Sequence, residues 1–433
     1  MINKLINVDK IAEKLLKLSL GNVSRSLESR LENPINYRGE AEPINPIYIG
    51  DKPFYIVKDI PEFNKVIIGV DGSSRVIDTA YAFFAIATVT SYSRILGEIL
   101  DHPPLPAYYI LPPLNNPFIA ISIDVKPGIE FKGDKYVTTT SPAGVPYTPD
   151  YNKALILDEI RTSLEISMLK QIGLHSDMIQ KGGNEFIIFI DGPVYPVPNL
   201  FRQHYNLLVR GSPSRGRLDD YVASWRELLR NRFQALQILE GRNIPVVGIV
   251  KRLESSRLLL SSINYRNLLS EIGISIGDLG NDQAFIDTII RTLIKKKHIL
   301  QPYYPIIIGP IKVPAESTFL DKYLENVPSK YVYYIAIPVN RYGESRIIYT
   351  LYRVETTERS FSILENYGIE PTIPALADSI GSGTTIPLSI LYADKRSKGI
   401  SRSLANILAR NLEAYGIPLT YDTIRTIEAY SIE

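Results

Sequence analysis

Two aspartates stand out for where they fall along the chain. Asp71 follows the apolar run Val66-Ile67-Ile68-Gly69-Val70 and precedes Gly72-Ser73-Ser74-Arg75; Asp191 follows Phe186-Ile187-Ile188-Phe189-Ile190 and precedes Gly192-Pro193. Unbroken apolar runs of this kind are expected of strands buried on both faces. A carboxylate at the end of such a strand is aimed rigidly at the crevice along the sheet edge, and a glycine beside it lets backbone or ligand approach closely. Two such carboxylates on neighbouring strands can share a divalent cation, because hard oxygen donors suit Mg²⁺ or Mn²⁺. A single Asp-Gly is ordinary turn chemistry. Its repetition at the ends of two matched strands shifts the expectation toward a metal site.

Other groups can join them. Glu165 lies on a segment from about Tyr151 to Ile172 that reads as a helix, on the same face as Arg161 and Asp158. A solvated polar stripe would have the same pattern, and Glu159, roughly a third of a turn away, is the alternative carboxylate. Lys251 ends a third buried run, Ile244 to Val250, followed by Arg252; a lysine there can neutralise a phosphate or simply sit exposed at a strand end. Asp394 opens the polar stretch Asp394-Lys395-Arg396 ahead of a final helix, expected from about Arg402 to Tyr415. It can face inward as a ligand, cap that helix or pair with Arg396.

Basic residues gather in three further places: Arg210, Arg215 and Arg217 among Gly, Ser and Pro; Lys295-Lys296-Lys297-His298; and Lys395, Arg396, Lys398 and Arg402. Such groups suit a groove that tracks a nucleic-acid backbone, although each alone is also what a solvated face looks like. With Ser73, Lys251 and Arg252 they supply the candidate DNA contacts: Ser73, Arg210, Arg215, Arg217, Lys251, Arg252 and Lys395. The net charge of +2 means that any basic surface is local.

Several chemistries are excluded. The chain has no cysteine, which removes disulfides, thiolate metal sites and cysteine nucleophiles. The four histidines, His102, His175, His204 and His298, have no zinc-ligand spacing and are expected to be structural or surface residues. There is neither a G-x-x-x-x-G-K-[ST] loop nor a G-x-S-x-G elbow.

The elements that must position these groups follow from patterning. Residues 5–31 read as one or two amphipathic helices, and Pro34, Pro43, Pro46 and Pro53 punctuate a connector. Three strands come in succession, Val66–Val70, Tyr81–Val89 and Phe118–Val125, and then strands alternate with helices: a long helix beginning near Leu218 whose last turn is followed by Gly241, helical stretches at 256–262 and 282–296, and strands at 304–309, 331–337 and 346–354. This order implies an α/β fold, a mixed sheet covered by helices. The simplest partition is an N-terminal helical arm and connector (1–64), one dominant domain (65–400) and a helical extension (401–433). The start of the chain is too charged for a signal peptide and Ala80–Val89 is too short to cross a bilayer, so a cytoplasmic protein is expected. Abundant Ile and Tyr with few Met fit a thermophile.

In these blocks and their order the sequence resembles the NurA nuclease family, partners of the HerA DNA-translocating ATPase. The resemblance runs through Gly69-Val70-Asp71-Gly72-Ser73, Arg161 with Glu165, Ile190-Asp191-Gly192-Pro193, Gly248-Ile249-Val250-Lys251, Tyr352-Arg353-Val354-Glu355, and Pro387-Leu388 to Ala393-Asp394. It implies an RNase H-like core, cleavage dependent on Mn²⁺ or Mg²⁺, a ring-like homodimer, and 5′-to-3′ exonuclease and endonuclease activity on single-stranded DNA alongside a HerA-type hexameric ATPase in end resection. It also implies two cations held by Asp71, Glu165, Asp191 and Asp394, with Lys251 offsetting charge on the phosphate. Asp394 departs from the histidine of many members.

Two rival readings remain at this level. One is an actin-like or sugar-kinase-like ATPase, against which Pro193 counts because it removes an N–H donor where phosphate would sit. The other is a non-catalytic clamp for DNA or a motor, against which the full set of carboxylates counts.

Overall fold

The computed structural model describes Glu13 and residues 40–432, apart from 42, 62, 124–133, 181–184, 212–215, 275–279, 298–302, 340–347 and 382. The expected helices at 5–31, apart from Glu13, and Arg215 and His298 lie outside the described residues.

Strands β1 (Ile47–Tyr48), β2 (Tyr55–Ile56), β3 (Val66–Asp78), β4 (Ala82–Ser93), β5 (Gly97–His102), β6 (Ile119–Ile123) and β7 (Val137–Thr138) come first. They are followed by α1 (Lys153–Leu174), α2 (Ser176–Gln180), β8 (Phe186–Asp191), α3 (Asn199–Val209), α4 (Leu218–Gly241) and β9 (Val246–Val250). Next come α5 (Leu258–Ser261), α6 (Ile263–Glu271), α7 (Asp282–Lys295), β10 (Ile306–Val313), β11 (Lys330–Val339) and β12 (Ile348–Thr357). The chain closes with α8 (Glu358–Asn366), α9 (Thr372–Ile380), α10 (Leu388–Ala414) and α11 (Tyr421–Ile432).

The twelve strands of the described residues form one mixed sheet in the order β1-β10-β11-β12-β9-β8-β3-β4-β6-β7, with β2 beside β10 and β5 beside β4. At its centre β3, β4 and β6 form an antiparallel meander, while β8 is parallel to β3 and β9 parallel to β8. A meander extended on the side of its first strand by two parallel strands is the arrangement of an RNase H-like core. Where β3, β8 and β9 run parallel, at Val66–Val70, Phe186–Ile190 and Val246–Ile249, they are apolar apart from glycine, as helix-covered parallel strands are: Val66, Ile68, Val70, Ile188, Phe189, Val246 and Val247 are all buried.

The helices follow their caps. Asn152 caps α1 by accepting from Ala154 N and Leu155 N, and Asp219 and Asp220 sit in the first turn of α4, where the helix dipole favours negative charge.

The structure corrects the sequence reading at four places. Asp71 does not end its strand: β3 continues to Asp78, and Asp71 pairs mid-strand with Thr90 of β4. Gly72-Ser73-Ser74 resembles a turn, yet the small residues serve close packing from both sides. A Cβ on Gly69 would meet the Ser389 backbone of α10 at 2.5 Å, and one on Gly72 would meet Glu165 Oε1 of α1 at 2.7 Å. Second, the last long helix starts at Leu388 rather than Arg402. Its serines, which look like loop residues, bond back to the helix: Ser397 to Asp394 O, Ser401 to Lys398 O and Ser403 to Gly399 O. The boundary drawn at residue 400 therefore falls inside a helix. Third, the proline-punctuated connector contributes β1 and β2, both paired to β10. Fourth, helices α2, α3, α6, α8 and α9 and strands β5 and β7 have no counterpart in the sequence reading.

Candidate metal centre

Parallel pairing sets the first part of the site. Val70 of β3 pairs with Ile190 of β8, so Asp71 and Asp191 stand next to one another on adjacent strands. Alternate residues of a strand face opposite sides, so Gly69, Asp71 and Ser73 share the face that α10 covers, while Gly72 faces α1. Helix α10 lies along β3 with its serines in order: Ser389 against Gly69, Ser397 Oγ donating to Asp71 Oδ2 at 3.3 Å, and Ser401 Oγ donating to Ser73 Oγ at 3.1 Å. This seating brings Asp394 to the other two aspartates. One carboxylate oxygen from each of Asp71, Asp191 and Asp394 lies within 4.8 Å of the others.

Two lysines border the cluster. Lys251 Nζ, at the start of the segment after β9, is 2.6 Å from Asp191 Oδ2, and Lys398 Nζ, one turn along α10, is 2.7 Å from Asp394 Oδ1. The charges divide the three acids. Burial, then repulsion from Asp191, Glu165 and Asp394, raises the pKa of Asp71 well above the carboxylate range. Burial also raises that of Asp191, against the pull of Lys251. At Asp394 burial opposes ionisation, but the Lys398 hydrogen bond and the Lys251 charge outweigh it and hold the group below the usual range. An acid cluster whose most buried member resists ionisation is one that a divalent cation would relieve, and its donors are all oxygen. The residues fit Mn²⁺ or Mg²⁺.

Glu165 approaches from the other side of β3, against Gly72, and is not among the three converging oxygens. It faces Arg161, whose Nε is 3.8 Å from Glu165 Oε1. Burial raises its pKa, opposed by Arg161 and the fully buried Arg232 of α4. Glu165 and Glu159 differ in their packing. Glu159 is fully buried with its oxygens accepting from Tyr147 Oη at 2.9 Å and Tyr151 Oη at 2.8 Å, away from the aspartates.

The expected DNA contacts scatter. Ser73 is buried beneath α10, where its Oγ accepts from Ser401 Oγ. Arg217 is committed to Asp150, with Nε 2.5 Å from Oδ2, and donates to Thr148 Oγ1 at 2.7 Å. Arg210, Arg252 and Lys395 are exposed. Lys395 lines a cleft of ≈ 1010 Å³ whose wall includes the stacked pair Tyr92 and Tyr392, with ring centroids 4.9 Å apart. Neither of the two alternative roles for Asp394 is observed. It lies within α10, not at its cap, and Arg396 pairs instead with Glu98 and the buried Asp101. Two described histidines are structural: His102 is buried against Asn116 O, and His204 bridges Tyr323 Oη and Asp219.

Sequence reading missed Arg232 and gave Glu355 no role. Both are buried and both touch the segment that follows Asp191. A charged residue on a helix or strand reads as solvated, and no signal in one sequence marks it otherwise.

Residues 65–419 match the family model for the NurA domain. Among solved structures the chain is similar to the NurA nuclease from Sulfolobus solfataricus, at 14% identity over 94% of this chain and 96% of that one with a TM-score of 0.38. It is also similar to a crystal structure of NurA with manganese, at 13% identity over 94% and 98% with a TM-score of 0.37. A structure of NurA bound to dAMP and manganese is similar at 12% identity over 89% and 90%, with a TM-score of 0.32. No curated protein sequence matches the chain. Among the described residues no helix is long and apolar enough to cross a membrane.

Proposed function

The chain belongs to the NurA family, and from that premise we propose that it is a metal-dependent DNA nuclease whose centre is built by Asp71, Asp191 and Asp394. The observation that carries this reading is the convergence of three carboxylates from two strands and a distant helix, with a lysine at the rim. A strand-end turn or a solvated stripe would not gather them.

Asp71, Asp191 and Asp394 would hold Mn²⁺ or Mg²⁺, and Glu165, the fourth carboxylate nearby, allows for a second ion. Bound cations supply a nucleophile from water at neutral pH and stabilise the leaving oxygen of a phosphodiester. The chain's own residues do the rest. Burial at the sheet keeps the carboxylates fixed, so no reorganisation is needed when the phosphate arrives. Lys251, drawn to Asp191 at 2.6 Å, is placed to turn its ammonium toward a scissile phosphate as negative charge develops there. Lys398 keeps Asp394 ionised and ready to ligate. Arg210, Arg252 and Lys395, all exposed, give backbone contacts for single-stranded DNA, and Tyr392 beside Lys395 offers a ring for base stacking.

The finer assignment follows the family. It is a 5′-to-3′ exonuclease and single-strand endonuclease, a homodimer acting with a HerA-type hexameric ATPase in resection of DNA ends. The test is cleavage of end-labelled single strands with Mn²⁺, Mg²⁺ or EDTA, with ATP hydrolysis followed in parallel. Mn²⁺-dependent cleavage without ATPase activity supports the nuclease. ATP turnover without cleavage would favour the kinase-like ATPase, and DNA binding with neither activity would leave the clamp.

A further inference from the structure

Asp191 is the carboxylate most dependent on the chain beyond it, because β8 ends there and the backbone turns at Gly192, whose φ is +109°. The turn folds back over β9. A Cβ on Gly248 would lie 2.5 Å from Val194 N and 2.7 Å from Gly192 O, so only glycine leaves room for this segment. Gly192 N–H is tied to Ile249 O at 2.8 Å. The next peptide groups are held by charges. Val194 N–H donates to Glu355 Oε2 at 3.3 Å, and Val194 C=O accepts from Arg232 Nε at 3.0 Å.

Both gripping residues are costly to bury. Glu355 is fully buried and is offset by Lys330 at 2.9 Å and Arg353 at 2.7 Å. Arg232 is 3% exposed, its Nη1 has no hydrogen-bond partner among the described residues, and the charge acting in its favour is that of Glu165. A buried guanidinium held chiefly by one backbone carbonyl is poor economy for folding alone, because replacing buried ionic groups with apolar ones is often neutral or stabilising. Its contacts join the Asp191 turn to the side of the site where Glu165 stands.

We propose that Arg232 and Glu355 are positioning residues that grip the two peptide groups flanking Val194 and thereby aim Asp191 into the metal centre. The idea rests on the metal-centre reading above. Groups that orient a ligand from behind typically change metal affinity by about 10–100-fold when removed.

The test is direct Mn²⁺ binding, measured by calorimetry or by electron paramagnetic resonance of free Mn²⁺, with amide hydrogen exchange across residues 190–197. It uses the full chain as wild type, Arg232→Met, Glu355→Ala and Glu355→Gln. Arg232→Met and Glu355→Ala are expected to weaken Mn²⁺ binding by about 10–100-fold and to speed exchange at Val194. Glu355→Gln keeps an acceptor for the Val194 N–H and is expected to stay closer to wild type than Glu355→Ala. If Glu355→Ala fails to fold, Arg232→Met decides the matter, since it leaves the Lys330–Glu355–Arg353 group intact. A folded Arg232→Met protein with wild-type exchange, or with faster exchange but unchanged Mn²⁺ affinity, overturns the proposal. Asp191→Asn is the control for the reading beneath it. Should that variant bind Mn²⁺ as wild type does, the metal centre itself is misplaced and the proposal falls with it, an outcome visible before either grip is altered.

Discussion

Gly69 and Ser389 meet backbone to backbone, so closely that a Cβ on Gly69 would lie 2.5 Å from both the carbonyl carbon and oxygen of Ser389. That approach lets α10 lie flat along β3, and it is what carries Asp394 to Asp71. Gly69→Ala must therefore push the first turn of α10 off the strand. Overpacking of this kind costs about 1–3 kcal/mol, and backbone is the obstacle here. The expected outcome is a lower Tm together with a loss of Mn²⁺-dependent cleavage of at least about tenfold, because small misplacements at a reacting centre are expensive. Activity and melting as in wild type would show that the helix does not depend on this contact.

Asp71→Asn and Asp191→Asn are each expected to abolish cleavage while the fold persists. The sign of the stability change follows from the raised pKa of Asp71. A carboxyl that holds its proton more tightly when folded stabilises fully below its unfolded pKa, and that contribution is lost as pH rises through the folded value. Without metal, Asp71→Asn should then melt at or above wild type at neutral pH and converge with it in acid. Mn²⁺ affinity of the wild type should rise with pH, because the proton must leave first. Thermal melts with EDTA from pH 4 to 8 and Mn²⁺ titrations over the same range check both; an Asp71→Asn protein that melts lower at pH 8 would contradict the charge repulsion.

Glu159 gives a second pH signature, away from the metal. Burial raises its pKa from 4.5 to about 8, against the hydrogen bonds from Tyr151 and Tyr147. Between those two values the folded chain holds a proton that the unfolded chain releases, so wild-type stability falls as pH climbs through that window. Glu159→Gln removes this slope without removing a ligand. Its Tm should vary less than wild type between pH 5 and 8, and Mn²⁺-dependent cleavage should remain. Loss of cleavage in this variant would reinstate Glu159 as the helical carboxylate of the site.

The basic residues expected to contact DNA separate by what they touch. Arg217 is tied to Asp150 and Thr148, so Arg217→Ala is expected to lower Tm slightly, within about 1 kcal/mol for so exposed a pair. Arg210, Arg252 and Lys395 are exposed. Replacing these three by Ala should leave melting unchanged and flatten the salt dependence of single-strand binding, because fewer counterions are released. Binding measured from 50 to 300 mM salt tests this, and an unaltered slope would route the DNA elsewhere.

What the sequence made legible follows from where local pattern and tertiary role agree. Asp191 and Lys251 each end an apolar run where the pattern breaks, so their places at the ends of β8 and β9 could be read directly. Asp71 is different: the residues after it read as a turn, yet β3 continues through them to Asp78. Gly72, Ser73 and Ser74 are weak strand formers, and only the packing of α1 and α10 on the two faces of β3 keeps them extended. The first turns of α10 were hidden for a related reason. Ser, Gly and Lys between 394 and 403 suggest a loop, whereas three of the serines bond to carbonyls of their own helix. Arg232 and the role of Glu355 stayed invisible because burial of a charge is a property of the fold, not of its neighbours in sequence.

Asp394 supports the most discriminating substitution. The site places one of its oxygens within 4.8 Å of those of Asp71 and Asp191, while Lys398 Nζ contacts both its oxygens, at 2.7 and 2.8 Å, and favours its ionised form. It lies within α10, so no capping role remains to compete. As a ligand it can be exchanged for another Mn²⁺ ligand but not for a neutral amide, since imidazole binds Mn²⁺ and a carboxamide oxygen is a poorer donor. Asp394→His should accordingly keep measurable Mn²⁺-dependent cleavage and Asp394→Asn should lose most of it. Stability should not follow the same order. Asn removes a charge that Lys398 favours, which costs little at a half-exposed pair, whereas His must fit the space between β3 and α10. Cleavage, Mn²⁺ binding and melting measured on both variants decide the role: an Asn variant that cleaves at the wild-type rate, beside an inactive but folded His variant, would remove Asp394 from the metal centre.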